Sequence, residues 1–143
     1  MSGYLLDTNV ISELPKTPPN TGVITFLSRQ DDLWIPSIAL HELQYGLQLL
    51  PHGRRRYGLE FAMTAFIAEY EERILPLYRE AAEHAGSFRA QAHRSGRLLT
   101  VGDALIAGTA AAHGLILATR NTKDFDYLSI EIINPWQNAQ PAI

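Results

Sequence analysis

Tyr4-Leu5-Leu6-Asp7-Thr8-Asn9-Val10-Ile11-Ser12-Glu13 compresses a strand, a carboxylate and a helix start into ten residues. Tyr4 to Leu6 is a short apolar run with no alternation, as in a strand buried on both faces. Asp7 stands at the join, and the helical pattern Thr8 to Leu14 follows at once. Further along, short apolar or β-branched runs at Leu33 to Pro36, Ile74 to Pro76, Leu115 to Ala118 and Ile130 to Ile133 predict four more strands. Helices are predicted between them at Gly22 to Arg29, Ser37 to Leu50, Arg54 to Glu72, Tyr78 to Ser95 and Gly102 to His113, the last stopped by Gly114. Strands that alternate with helices and are themselves nearly all apolar imply an α/β fold with a central, mostly parallel five-stranded sheet covered on both faces. Such sheets bind ligands beyond the carboxyl ends of their strands, where Asp7 and the segment Asn121 to Asp124 fall.

Four stretches place a carboxylate or its amide at a strand end or helix start: Leu5 to Asn9, Leu40-His41-Glu42-Leu43, Val101-Gly102-Asp103-Ala104 and Thr119-Arg120-Asn121-Thr122-Lys123-Asp124. Each acid has a structural explanation. Asp7 is placed to cap a helix, Thr100 to Asp103 matches a capping box, and Asn121 with Asp124 fits a side-chain-stabilised turn. Glu42 is harder to explain in this way. Its neighbours at helical spacing are Ile38, Tyr45, Gly46 and Leu49, and a carboxylate on an apolar face is costly unless a cation or hydrogen bonds compensate it. On the helix from Gly102, Asp103 shares a face with Ala107, Ala110 and Ala111, and small residues allow a close approach that would carry Asp103 towards Asp7. Carboxylates gathered together repel unless a divalent ion neutralises them, and an all-oxygen pocket suits Mg²⁺ or Mn²⁺.

The chain has 143 residues, 46% hydrophobic and 19% charged, which fits one domain spanning 1–143 with a sizeable core. No run approaches a membrane span, and the N-terminus shows no secretory pattern, so a soluble cytoplasmic protein is expected. With no cysteine, disulfides, thiolate metal sites and thiol nucleophiles are excluded. A net charge of −3 argues against a stand-alone nucleic-acid module, although Arg54-Arg55-Arg56, Arg94, Arg97 and Arg120 give local positive charge. The arginine triplet equally suits a solvated helix start. There is no phosphate-binding Gly-rich loop and no nucleophile elbow, and the five histidines form no His-x-x-x-His pair, which disfavours a zinc site or a hydrolase triad. Trp34, Trp136 and the tyrosines are scattered as packing residues rather than as a base-stacking platform.

Leu5 to Glu13, Glu42-Leu43-Gln44-Tyr45-Gly46, Asp103-Ala104-Leu105-Ile106-Ala107, Ala118 to Thr122 and Asn134-Pro135-Trp136, taken in order over nearly the whole chain, resemble the PIN-domain ribonucleases, specifically VapC-like and FitB-like toxins of toxin–antitoxin pairs. The resemblance implies a three-layer α/β/α sandwich and an endoribonuclease dependent on Mg²⁺ or Mn²⁺. It makes Asp7, Glu42 and Asp103 metal ligands. The fourth acidic position falls on Asn121, with Asp124 three residues on as the alternative. Thr8, Asn9 or Thr119 would then donate hydrogen bonds within the pocket, and Arg120 would either contact a phosphate or simply lie on the exposed surface. It also implies a homodimer that joins a higher hetero-oligomer with its antitoxin, an RNA substrate, and a cognate antitoxin that blocks the pocket, docks on the apolar faces of Gly22 to Arg29 and Ser37 to Leu50, and carries any DNA binding. Two other functions are weighed. One is a PIN-like scaffold without turnover. The other is a small-molecule phosphatase, disfavoured because position 9 is Asn where that chemistry wants a second Asp.

Overall fold

Adjacent residues of an extended chain point to opposite faces, so a two-sided sheet needs consecutive apolar residues. In the computed structural model, which describes residues 3–137, Leu5 and Leu6 are both fully buried but belong to different halves of the core. Leu5 packs with Ala85, Phe88, Ala104, Ala107 and Leu117 on one face. Leu6 packs with Val10, Val23, Ile35, Ala39 and Met63 on the other. Two separate apolar layers across one sheet make the three-layer α/β/α sandwich that the sequence pattern predicts.

In chain order the elements are β1 (Tyr4–Leu6), α1 (Thr8–Glu13), α2 (Thr21–Arg29), β2 (Leu33–Pro36), α3 (Ser37–Leu49), α4 (Arg54–Ala68), β3 (Ile74–Leu75), α5 (Arg79–Arg94), α6 (Val101–His113), β4 (Ile116–Ala118) and β5 (Ile132–Ile133). The sheet order is β3-β2-β1-β4-β5, and every pairing is parallel where a mostly parallel sheet was expected. From β1 the chain first builds one side of the sheet and then crosses to the other, so β1 and β4 flank the point where strand order reverses. Their register, Leu6 opposite Ala118, sets the next two residues, Asp7 and Thr119, side by side at the carboxyl edge. The Asp7 N–H donates to the Ala118 carbonyl at 3.0 Å and locks that placement.

Several expectations are corrected in detail. The fourth helix stops at Ala68 rather than Glu72, because the chain tightens into a 3₁₀ turn at Glu71–Arg73 to enter β3. Arg56 is buried rather than solvated. Its guanidinium donates to Gln48 (2.7 Å), the Leu50 carbonyl (3.3 Å) and Glu60 (3.2 Å), tying α4 to the end of α3. Gly114 does end α6, in the left-handed conformation at φ 62° that suits glycine.

The small residues of α6 serve a second neighbour besides the sheet. A Cβ at Gly108 would collide with the Ala81 carbonyl and lie 3.0 Å from the Ala85 nitrogen, both backbone atoms of α5. Backbone cannot move aside as a flexible side chain does, so Gly108→Ala should destabilise by about 1–3 kcal/mol, an overpacking cost. Gly86→Ala, on an exposed position of α5 with nothing within 4 Å, is the control. It should gain up to about 1 kcal/mol from helix propensity. Urea unfolding of both variants measures the difference.

Candidate active site

The edge where β1 and β4 end holds the most buried carboxylate of the candidate set. Asp7 has extended backbone (φ −68°, ψ 158°) and caps α1, its Oδ1 accepting the Thr8 N–H at 2.7 Å. Its Oδ2 accepts the Thr119 hydroxyl, also at 2.7 Å. Capping leaves each carboxylate oxygen a further lone pair, so the cap does not use up the side chain's capacity to accept. Asp7 is only 5% exposed. Burial pushes its carboxyl up to about 6, the negative charges of Asp103 and Glu42 add to that rise, and the Thr119 and Thr8 bonds oppose it. No lysine or arginine forms an ion pair with it among the described residues.

Glu42 and Asp103 reach the same edge from α3 and α6. Thr8 donates its hydroxyl to Glu42 Oε1 at 2.6 Å, and a Cβ at Gly102 would run into Oε2. The absent side chain at position 102 is the space that the carboxylate fills. Glu42 is half-buried, but its expected apolar surroundings are largely open to solvent, with Tyr45 62% and Leu49 66% exposed. Asp103, half-buried in the first turn of α6, donates its N–H to the Thr100 hydroxyl at 3.2 Å, one arm of the predicted capping box. Burial raises its carboxyl first, and the charges of Glu42 and Asp124 raise it further.

The loop after β4 closes the edge. Thr119 is a hub: besides donating to Asp7, its hydroxyl accepts from the Asn121 N–H (3.1 Å) and from Asn9 Nδ2 (3.4 Å). The Asn121 carbonyl accepts the Asp124 N–H at 3.0 Å in a 3₁₀ turn, Thr122–Asp124. Both Asn121 and Asp124 are exposed, and of the two it is Asp124 whose charge acts on Asp103. Arg120 is exposed with its guanidinium 5.3 Å from the Trp136 ring, and its N–H donates to Asn9 Oδ1 at 3.4 Å.

The acids are thus electrostatic neighbours, but among the described residues no three of His, Asp or Glu are drawn together as a ready-made metal cage. Thr8 and Thr119, expected as donors within the pocket, are committed to holding Glu42 and Asp7. Removing the Thr119 hydroxyl should therefore act on Asp7 and, through the lost bonds from the Asn121 N–H and Asn9 Nδ2, on the loop after β4. Thr119→Val is expected to lower any activity by about 10–100-fold, the usual range for a group supporting a ligand. It should also move the Asp7 titration higher still, which NMR of the carboxyl carbon would follow.

A cavity of about 890 Å³ opens from the site along α1, α3 and α4. Thr8 and Glu42 line its site end, Leu47 and Met63 its floor, and Arg54 and Arg55 its wall. Sequence reading missed this groove, because its walls come together only once α4 folds back on α3. Part of the α2 face expected to dock a partner is used by the core, with Val23 and Phe26 buried and Phe26 edge-on to Tyr4 at 5.0 Å between ring centres, while Ile24 on the same helix stays 43% exposed.

Residues 4–130 match the PIN domain family. The chain is 37% identical over 138 residues to a VapC ribonuclease, Y4jK, of Sinorhizobium fredii, covering 94% of this chain and 99% of that protein. It is 34% identical over 137 residues to the toxin FitB of Neisseria gonorrhoeae, covering 94% and 99%. Among solved structures, that of FitAB bound to an IR36 DNA fragment superposes with a TM-score of 0.85 at 32% identity, covering 94% of this chain and 96% of that one. No described helix is long and apolar enough to cross a membrane.

Proposed function

The chain belongs to the PIN-domain family, among its VapC- and FitB-type toxins, and from this premise we propose that it is the toxin of a toxin–antitoxin pair, an Mg²⁺- or Mn²⁺-dependent endoribonuclease held inactive by a cognate antitoxin. A single observation carries the reading: Asp7 is buried, oriented by two hydrogen bonds, and faced by like charges, with no cationic side chain paired to it among the described residues. A divalent ion is the compensation that such a carboxylate lacks.

The donors fit a hard cation. All are oxygens, and the glycine at 102 leaves the Glu42 carboxylate room beside the helix that carries Asp103. Asp7, Asp103 and Glu42 would hold the ion, with Asp124 or Asn121 completing the set. When bound, Mg²⁺ or Mn²⁺ lowers the pKa of a water and offsets charge on the phosphate and the leaving oxygen. The chain's own groups supply orientation and proton transfer. Thr119 keeps Asp7 aimed, and Thr8 fixes one oxygen of Glu42, so the other is available to take a proton from the attacking water. Arg120 and Asn9 border the path of the strand.

The antitoxin belongs in the α1–α3–α4 groove. An apolar floor with Glu42 at one end suits an amphipathic segment that ends in a cation over the acids. The net charge of −3 leaves DNA contact to that partner, and the similar FitAB complex has been solved bound to a DNA fragment. A homodimer and a cytoplasmic location complete the reading. Exposed Tyr45 and Leu49 on α3 and Val101 next to Gly102 give an apolar surface beside the site for the second protomer. The test is cleavage of structured RNA by the purified protein with Mg²⁺ or Mn²⁺, with and without chelator. Cleavage that chelator leaves unchanged would sink the metal assignment, and no cleavage at all would leave the scaffold reading.

A further inference from the structure

Building on the ribonuclease reading, we propose that Arg97 is a positioning residue that grips a phosphodiester of the RNA beside the scissile one, in a cavity of about 460 Å³ bordered by Lys123, Asp124 and Tyr127. An acidic site repels a polyanion, so a cationic contact close to it must offset the repulsion for the strand to be held. Arg97 meets that need from a fixed position. α5 ends in a left-handed Gly96 (φ 71°), with the Arg97 N–H on the Ala92 carbonyl at 2.8 Å and the Gly96 N–H on the His93 carbonyl at 3.0 Å. This paired terminator sets the backbone of Arg97.

Its side chain is held as well. The guanidinium lies 4.2 Å from the centre of the Tyr127 ring, and Nη1 donates to the Lys123 carbonyl at 3.4 Å, with Asp126 Oδ1 3.7 Å away. Nε and Nη2 have no protein acceptor among the described residues, and the side chain is 47% exposed. A planar fork held over an aromatic ring, half-exposed and with two donor groups uncommitted, matches a phosphate's paired oxygens. The cavity is also tied to the site through hydrogen bonds: Lys123 and Asp124 belong to the turn closed on the Asn121 carbonyl, the Asn121 N–H donates to the Thr119 hydroxyl, and that hydroxyl donates to Asp7. A strand lying across Asp103 and Asp124 therefore has Arg97 next in line.

The test uses end-labelled bulk transfer RNA as a structured polyanion and the full chain. Cleavage is measured with Arg97→Ala, and equilibrium binding by anisotropy is measured with Arg97→Ala in an Asp7→Asn background that does not cut. Expected is a rise of about tenfold in KM and in Kd, with kcat within about threefold of wild type. The slope of log Kd against log salt should fall by about 0.7–1. Arg97→Lys should restore the slope but only part of the affinity. An unchanged Kd and salt slope in Arg97→Ala, even with a lower melting temperature, would make Arg97 a structural tie of the 123–127 loop and overturn the proposal. Failure of wild type to cleave overturns the ribonuclease reading instead, and the binding series still decides on Arg97.

Discussion

Asp7→Asn is expected to cut RNA cleavage by about 10³-fold or more, the scale for removing a group that acts directly on developing charge, while making the metal-free protein more stable above pH 6. The two effects share one origin. A carboxyl held at about 6 in the folded chain against an ordinary 3.8 binds its proton more tightly folded than unfolded. Its contribution is therefore fully present below about pH 4, where both states are protonated, and is lost as pH rises through about 6. The gap of about two units corresponds to about 3 kcal/mol at neutral pH. Asparagine keeps the shape and the capping oxygen and carries no charge to bury. Its amide meets a Thr119 hydroxyl whose two lone pairs already accept from Asn121 and Asn9, and the hydrogen bond lost there, about 1 kcal/mol, is smaller than the gain. Calorimetric melting from pH 4 to 8 should show wild type losing stability relative to Asp7→Asn across that window. Adding Mg²⁺ or Mn²⁺ should then raise the melting temperature of wild type but not that of the variant. A variant that melts lower than wild type at pH 7 without metal would refute the account of Asp7 as an uncompensated buried charge.

The strands were legible because a fully covered parallel sheet leaves its mark in composition. Leu5-Leu6 and Leu117-Ala118 are apolar on both faces, and nothing else in the chain explains such runs. Helix ends with a local chemical cause, such as Gly114, were legible for the same reason. The end of α4 was not, since its cause is the need to enter β3 and no residue at Ala68 signals it. Of the site, the sequence showed Asp7 after β1 and Asp103 at the start of α6, whereas Glu42, expected at a strand end or helix start, lies in the body of α3. What orients the three was not legible. Thr119 meets Asp7 only through the register of β1 and β4, across 112 positions, and Thr8 meets Glu42 only once α1 packs on α3. The buried Arg56 was misread for a related reason. In sequence it belongs to a charged triplet, and only the fold-back of α4 gives it acceptors.

Gly102→Ala should show the same dependence on packing from the opposite direction, with activity lost and folding untouched. The position lies in the first turn of α6 with no backbone conformation reserved for glycine, so alanine by itself favours the helix by up to about 1 kcal/mol. The added methyl, however, occupies the place of Glu42 Oε2. A flexible side chain gives way more cheaply than backbone, so Glu42 is expected to swing off and release its bond from Thr8. Displacing a site carboxylate by about 1 Å or more commonly costs on the order of 10²-fold in rate. The loss should fall on kcat, because the RNA-gripping groups lie elsewhere. Thermal melting equal to or above wild type, together with a hundredfold fall in kcat, would place Glu42 in the reaction without touching that residue. Full activity in Gly102→Ala would mean that Glu42 works equally well displaced, and its role as the proton acceptor would have to be abandoned.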